Sequence, residues 1–170
     1  MKVYYDNIIY SLQKSGGISV YWSELSTRLL ARSLNSEFYG YPNKNIFFKY
    51  LDIDVKKESN ISYRISRYLD FSKTMSKASL FHSSYYRISK QKNIVHITTV
   101  HDFTYEYFRT GLSKYIHTFQ KRRAIKNSDG IICISENTKK DLLKFNPDID
   151  EEKIQVIYNG VSDVFVQLEN

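Results

Sequence analysis

Apolar positions in this chain alternate between short β-branched or aromatic runs and longer segments that repeat every three or four residues. Residues 2–10 predict a first strand, with Val3, Tyr5, Ile8 and Ile9 as its apolar content. A polar loop, 11–17, closes on paired glycines. From about residue 19 to 33 the chain reads as a helix, because Ile18, Trp22, Leu25 and Leu29 fall on one stripe. Residues 37–41 predict a second strand, whereas 42–60 are polar and aromatic without a stable period. Residues 61–77 predict a helix carrying Ile61, Ile65, Tyr68, Leu69 and Met75 on one side, flanked by Arg64 and Arg67. Segments 79–82 and 94–100 read as short strands, and 112–127 as a helix with Leu112, Ile116 and Phe119 turned inward.

The last third is the clearest. Ile131-Ile132-Cys133-Ile134 is a continuous apolar run, as expected of a parallel strand covered on both faces. Ser135 follows at its carboxyl end as a helix cap, with Glu136 in the first turn at the helix's positive end. Thr138, Leu142 and Phe145 mark the buried stripe of that helix, Asn146-Pro147 stops it, and the run before Asn159-Gly160 reads as one more strand. Strands and helices alternating at this rhythm predict an α/β fold: a single domain with a mostly parallel, doubly wound sheet.

Composition narrows the class. At 170 residues with 42% hydrophobic content, the chain buries a substantial core and is not disordered. No apolar run approaches the ~20 residues of a membrane span, and the opening MKVYYDNIIYS is too polar for a signal peptide. The single cysteine, Cys133, lies inside a strand and reads as core filling, which fits a reducing cytoplasm. The four histidines are not at zinc spacing. A formal charge of +7 suits an anionic partner, although short clusters such as Lys121-Arg122-Arg123 and Lys139-Lys140 are usually solvated helix faces.

Two places stand out for chemistry. Gly16-Gly17, between the first strand and the first helix, would let bare backbone N–H groups approach an anion, or would simply make a turn. It is not a G-x-G-x-x-G fingerprint, and no P-loop pattern occurs. His101 ends the strand IVHITTV beside Asp102, which would fix its tautomer or ion-pair with it; the alternative is a histidine that caps a strand end. His82 ends another strand in the same way. His96 reads as packing and His117 as surface. No Ser-His-Asp triad or close carboxylate pair is assignable. Basic residues interleaved with aromatics at 63–68 and 85–87 match no nucleic-acid-binding motif.

Three blocks in order, QKSGGISVYWSELSTRLL from Gln13, TVHDFTYEYF from Thr99, and KRRAIKNSDGIICISENTKKDLLKF…IQVIYNGV from Lys121, resemble the N-terminal domain of a GT-B glycosyltransferase of the GT4 type, the group also called glycosyl transferases group 1. The resemblance implies a Rossmann-like, acceptor-side half (1–161), with 162–170 starting a linker to a C-terminal donor domain. It implies a retaining, nucleotide-sugar-dependent transfer without a required metal or other cofactor, in bacterial surface polysaccharide or glycolipid synthesis. By that likeness Gly16 and Gly17 would meet the donor diphosphate, and His101 would act beside the transferred sugar as the catalytic residue. His82, Asp102, Ser135 and Glu136 would stand near the substrates.

The implied partners are a nucleotide sugar, a sugar or lipid-linked acceptor, and a C-terminal donor-binding domain, with no nucleic acid. The basic segment 61–77 adds an expected peripheral contact with anionic membrane at the inner face. The half-cleft would be nearly inert without its second lobe. A different class also fits: a stand-alone, non-catalytic binding or interaction module of the same fold.

Overall fold

The computed structural model describes residues 1–160; the linker expected at 162–170 lies outside them. Seven strands form one wholly parallel sheet in the order β3-β2-β1-β4-β5-β6-β7. They are β1 (Val3–Asp6), β2 (Ser36–Gly40), β3 (Val55–Lys57), β4 (Ser79–Ser83), β5 (Ile94–Val100), β6 (Gly130–Cys133) and β7 (Ile154–Val156). The helices are α1 (Ile9–Leu12), α2 (Gly17–Ala31), α3 (Tyr63–Ser66), α4 (Thr104–Phe108), α5 (Gly111–Lys126) and α6 (Glu136–Phe145). The chain starts mid-sheet, winds out to β3, returns to β4 and winds out the other way. The winding therefore reverses between β1 and β4, where Asp6 lies opposite Ser83 in register. In such sheets the carboxyl ends at this reversal form the ligand crevice.

Strand alternation explains the core. Val3 and Tyr5 pack with Trp22 of α2, Phe38 and Ile9 on one face of the sheet. Tyr4, on the opposite face, joins Tyr39, Phe71, Met75 and Phe81. A third cluster around Val100, Ile131, Cys133, Leu142 and Ile154 closes the β5–β7 side. Cys133 is fully buried there, as core filling.

Three expectations are corrected. The first strand stops at Asp6, because Ile8 and Ile9 enter the one-turn helix α1 and are buried there. The long helix expected at 61–77 is the single turn α3. Downstream backbone groups find tertiary partners instead: Phe71 N–H donates to Ile88 O, Ser72 N–H to Glu58, and Met75 is held on both sides by the Gln91 amide. Strand β3 lies inside the stretch that has no readable period.

The third correction concerns α5. Its buried face carries Lys121, Ala124 and Ile125, not Leu112, Ile116 and Phe119. Leu112 is 74% exposed and Phe119 69%. Residues nine apart on an α-helix sit about half a turn round, so Leu112 and Lys121 point in opposite directions. The apolar stripe legible in the sequence is the outer face.

Candidate functional site at the carboxyl rim of the sheet

The loop after β1 delivers the chain to the rim. Asn45 holds it from outside, its side-chain amide donating to Gln13 O at 3.0 Å, while Ile46 N–H donates to Lys14 O. Helix α2 then starts at Gly17 with no side-chain cap; the Ser19 hydroxyl donates to Gly16 O rather than accepting from the helix's free N–H groups. A Cβ at Gly17 would meet nothing within 4 Å. At Gly16 it would meet the Gln13 side-chain oxygen, the movable end of a flexible group. The positive end of a 15-residue helix thus faces open space with its first donors unclaimed.

His101 follows β5 and arrives beside that helix. Its ring meets Tyr21 of α2 edge to face, with centroids 5.0 Å apart. The Tyr21 hydroxyl reaches Thr99 Oγ1 at 3.4 Å, and the same Thr99 oxygen is 3.0 Å from His82 Nε2. Tyr21, Thr99, His82 and His101 therefore make one connected group spanning α2, β4 and β5. Burial pushes the His101 imidazole down to about 4; Asp102 works against that and Lys121 with it. His101 is a neutral ring, able to donate one N–H and accept at the other nitrogen.

Asp102 does not hydrogen-bond His101. Its carboxylate accepts from Thr104 N–H at 2.8 Å, which starts α4. Burial acts to raise its pKa, but the bonds from Thr104, with the nearby Lys121 and His101, lower it on balance. The ion pair or tautomer lock expected from adjacency is replaced by a turn, because the residue two positions on offers a free backbone donor.

His82 is enclosed, 5% exposed, with the Trp22 ring edge-on at 4.8 Å. Desolvation holds its pKa near 3. It touches the rim through Thr99. His96 packs on Phe81, as expected. His117 is a correction: it lies half-buried against Tyr105, with ring centroids 3.8 Å apart and its Nδ1 enclosed without a partner.

Ser135 caps α6, its hydroxyl accepting from Thr138 N–H at 3.1 Å, and the Thr138 hydroxyl donates back to His101 O at 3.4 Å. Glu136 is exposed in the first turn of α6. The glycine pair, His101, Asp102, Ser135 and Glu136 all lie at carboxyl ends of strands or in the loops that leave them.

Sequence reasoning did not find Tyr21, Thr99, Lys121 or Arg87. Lys121, read within a solvated basic cluster, is 1% exposed on its side chain. Its ammonium donates to Glu106 and to Asp102 O and lies 4.4 Å from the centroid of the Phe103 ring. Its spacing to Ala124 and Ile125 was the available signal, since i, i+3, i+4 marks one helix face. Arg87 sits beneath the sheet reversal, bidentate to Glu58 at 2.7 and 2.8 Å and 3.1 Å from Asp6. Nothing local distinguishes it. The described residues contain no group of three or more His, Cys, Asp or Glu that could hold a metal ion.

A parallel, doubly wound sheet with this rim defines a Rossmann-like ligand-binding domain, consistent with the N-terminal half of the GT-B architecture. The family profile of Glycosyltransferase Family 4 matches residues 15–164, and the chain belongs to that family. No curated protein matches the chain. Membership implies a glycosyltransferase-type function, with a nucleotide-sugar donor and an acceptor. No helix among the described residues is long and apolar enough to cross a membrane.

Proposed function

We propose that this domain is the acceptor-side half of a retaining, nucleotide-sugar-dependent glycosyltransferase of surface polysaccharide or glycolipid synthesis. It works in the cytoplasm on a lipid-linked acceptor at the inner membrane face. A second, donor-holding lobe completes the cleft, and the half-cleft alone is nearly inert. The observation that carries the reading is the Tyr21–His101 contact, which joins the glycine-started helix and the neutral histidine in one rim.

Transfer breaks the bond between the sugar's anomeric carbon and the diphosphate oxygen and forms one to the acceptor hydroxyl oxygen, whose proton passes to the departing diphosphate. Charge develops on the departing diphosphate. The free N–H groups at Gly17 and the positive end of α2 stabilise that charge. His101, uncharged at neutral pH, donates its N–H to a hydroxyl of the transferred sugar and fixes its orientation. Ser135 and Glu136 line the adjacent edge. The chemistry calls for no metal in this half.

The test is sugar transfer to a lipid-linked acceptor from a panel of nucleotide sugars, with the donor lobe present. His101→Ala is expected to reduce turnover by roughly 100-fold or more at unchanged fold. Transfer at the unmodified rate in that variant would sink the assignment of His101, and absence of transfer from every donor would sink the reading as a whole.

A further inference from the structure

The outer face of α5 is an apolar surface that the fold leaves bare. Leu112, Tyr115, Ile116 and Phe119 occupy positions i, i+3, i+4 and i+7, one face of the helix, and Tyr115 is 72% exposed. Across a groove of about 310 Å³ stands Tyr68, on a segment held to α5 by Gln120 Nε2 donating to Arg67 O and by the Arg123–Asp70 ion pair. Ile65 and Leu69 on that segment are also exposed. A contiguous exposed apolar stripe rimmed by polar residues marks an interaction surface.

We propose that this face docks on an anionic lipid bilayer. The claim rests on the acceptor reading above and identifies the membrane-contacting element as α5 with residues 61–69, rather than a long helix at 61–77. Charge selects the occupant. Residues 61–69 and 107–126 hold eight lysines and arginines and no acidic residue. Lys121 is buried on Glu106, Arg123 pairs with Asp70 and Lys126 with Asp148; among the described residues Arg64, Arg67, Arg109, Lys114 and Arg122 have no carboxylate partner. Arg64 and Arg122 are exposed beside the apolar stripe. An apolar face with a net positive fringe fits a bilayer interface with anionic headgroups.

A second copy docked on the same face about a two-fold axis would set these like charges against one another. Position supports the assignment as well. Helix α5 runs from the rim back along the sheet, and Tyr86, which lines the groove, lies under the Lys121 ammonium that also holds Asp102 O beside His101. A bilayer seated here would present an acceptor headgroup to the same rim.

The experiment is co-sedimentation of the full chain with vesicles of phosphatidylcholine alone or mixed with phosphatidylglycerol, at low and high salt. The chain is expected to bind the anionic vesicles and to be released by salt. Substituting Tyr115→Ser with Phe119→Ser should lower partitioning at least about tenfold. Replacing Arg64 and Arg122 by Gln should lower it roughly tenfold to thirtyfold and flatten the salt dependence. Because all four side chains are exposed, melting temperatures should be unchanged.

No binding, equal binding to neutral vesicles, or undiminished binding of the apolar variant would overturn the proposal. A dimer in solution that the apolar variant splits would overturn it in favour of self-association. His101→Ala separates the two readings, because it should lose sugar transfer while keeping full vesicle binding.

Discussion

Tyr21 and His101 meet edge to face, with ring centroids 5.0 Å apart, although eighty positions of chain and four strands separate them. The contact sets His101 against the helix that Gly17 starts, so any movement of α2 moves the imidazole. Removing the ring with Tyr21→Ala should cost roughly tenfold in transfer, since small displacements of a positioning group are enough to misalign reacting atoms. Tyr21→Phe keeps the ring and loses only the long 3.4 Å bond to Thr99, so it should stay within about threefold. Steady-state kinetics of the two variants test this: equal losses would place the effect in the hydroxyl and not in the aromatic contact.

Gly17 separates structure from function. Its backbone needs no left-handed conformation, and a methyl group there meets open space. Gly17→Ala should therefore leave stability unchanged or raise it by about 0.4–1 kcal/mol, as an alanine in a first helical turn does. The same methyl would stand where a diphosphate must approach the bare N–H groups, so nucleotide-sugar affinity should fall about tenfold or more. Urea denaturation and calorimetric titration together give the answer. A destabilised variant would make this glycine structural, and unchanged donor affinity would remove the diphosphate from this loop.

Burial holds His82 near pKa 3 and His101 near 4, both well below the unfolded value of about 6.5. Between pH 6.5 and 4 the unfolded chain binds protons that the folded chain refuses. Stability is therefore fully present above about pH 6.5 and is lost as pH falls toward the folded values. At about 1.4 kcal/mol per pKa unit, shifts of this size correspond to on the order of 3–5 kcal/mol per ring. This window lies above that of Glu37, whose carboxylate is held near 2, chiefly by the bond from Lys2. Replacing His82 by Gln should reduce proton uptake on unfolding near pH 5 by about one. A pH series of denaturant midpoints with an unchanged slope in that variant would contradict the assignment.

The legible parts of the chain were those in which one period dominates. β6 (Gly130–Cys133) and α6 (Glu136–Phe145) are readable because a continuous apolar run, a capping Ser135 and the stopping Asn146-Pro147 all agree. The rim residues Gly17 and His101 were legible for the same reason, since strand ends locate them. What stayed hidden depends on distant partners. The stretch after α3 has a helical pattern, yet Glu58, Ile88 and Gln91 take its backbone groups. Helix α5 has two usable faces, and the periodicity points the more apolar one inward, whereas Lys121 is buried because Glu106 neutralises it and the Asp102 carbonyl accepts a second bond. Asp102 was paired with its neighbour His101 by adjacency alone, and adjacency lost to a backbone donor two residues on.

Arg87 is the largest structural liability of the site. Its guanidinium is almost fully buried, bidentate to Glu58 and in contact with Asp6 at the point where the sheet reverses direction. Desolvation raises the pKa of Asp6, with Arg87 opposing it, and Ser83 Oγ donates to the same carboxylate at 2.8 Å. Arg87→Ala would leave two buried carboxylates facing one another without a counter-charge, so it should cost about 3–5 kcal/mol. Arg87→Lys supplies the charge but not the planar fork, and should recover only part of that loss. Pairing Arg87→Met with Glu58→Gln removes opposite charges together and should recover more stability than Arg87→Met alone, because only Asp6 is then left without a counter-charge. The comparison is to be made by chemical denaturation at neutral pH. If Arg87→Ala unfolds at the same denaturant concentration as the unmodified chain, this network does not hold β1, β4 and the segment after β3 together, and the rim rests on apolar packing alone.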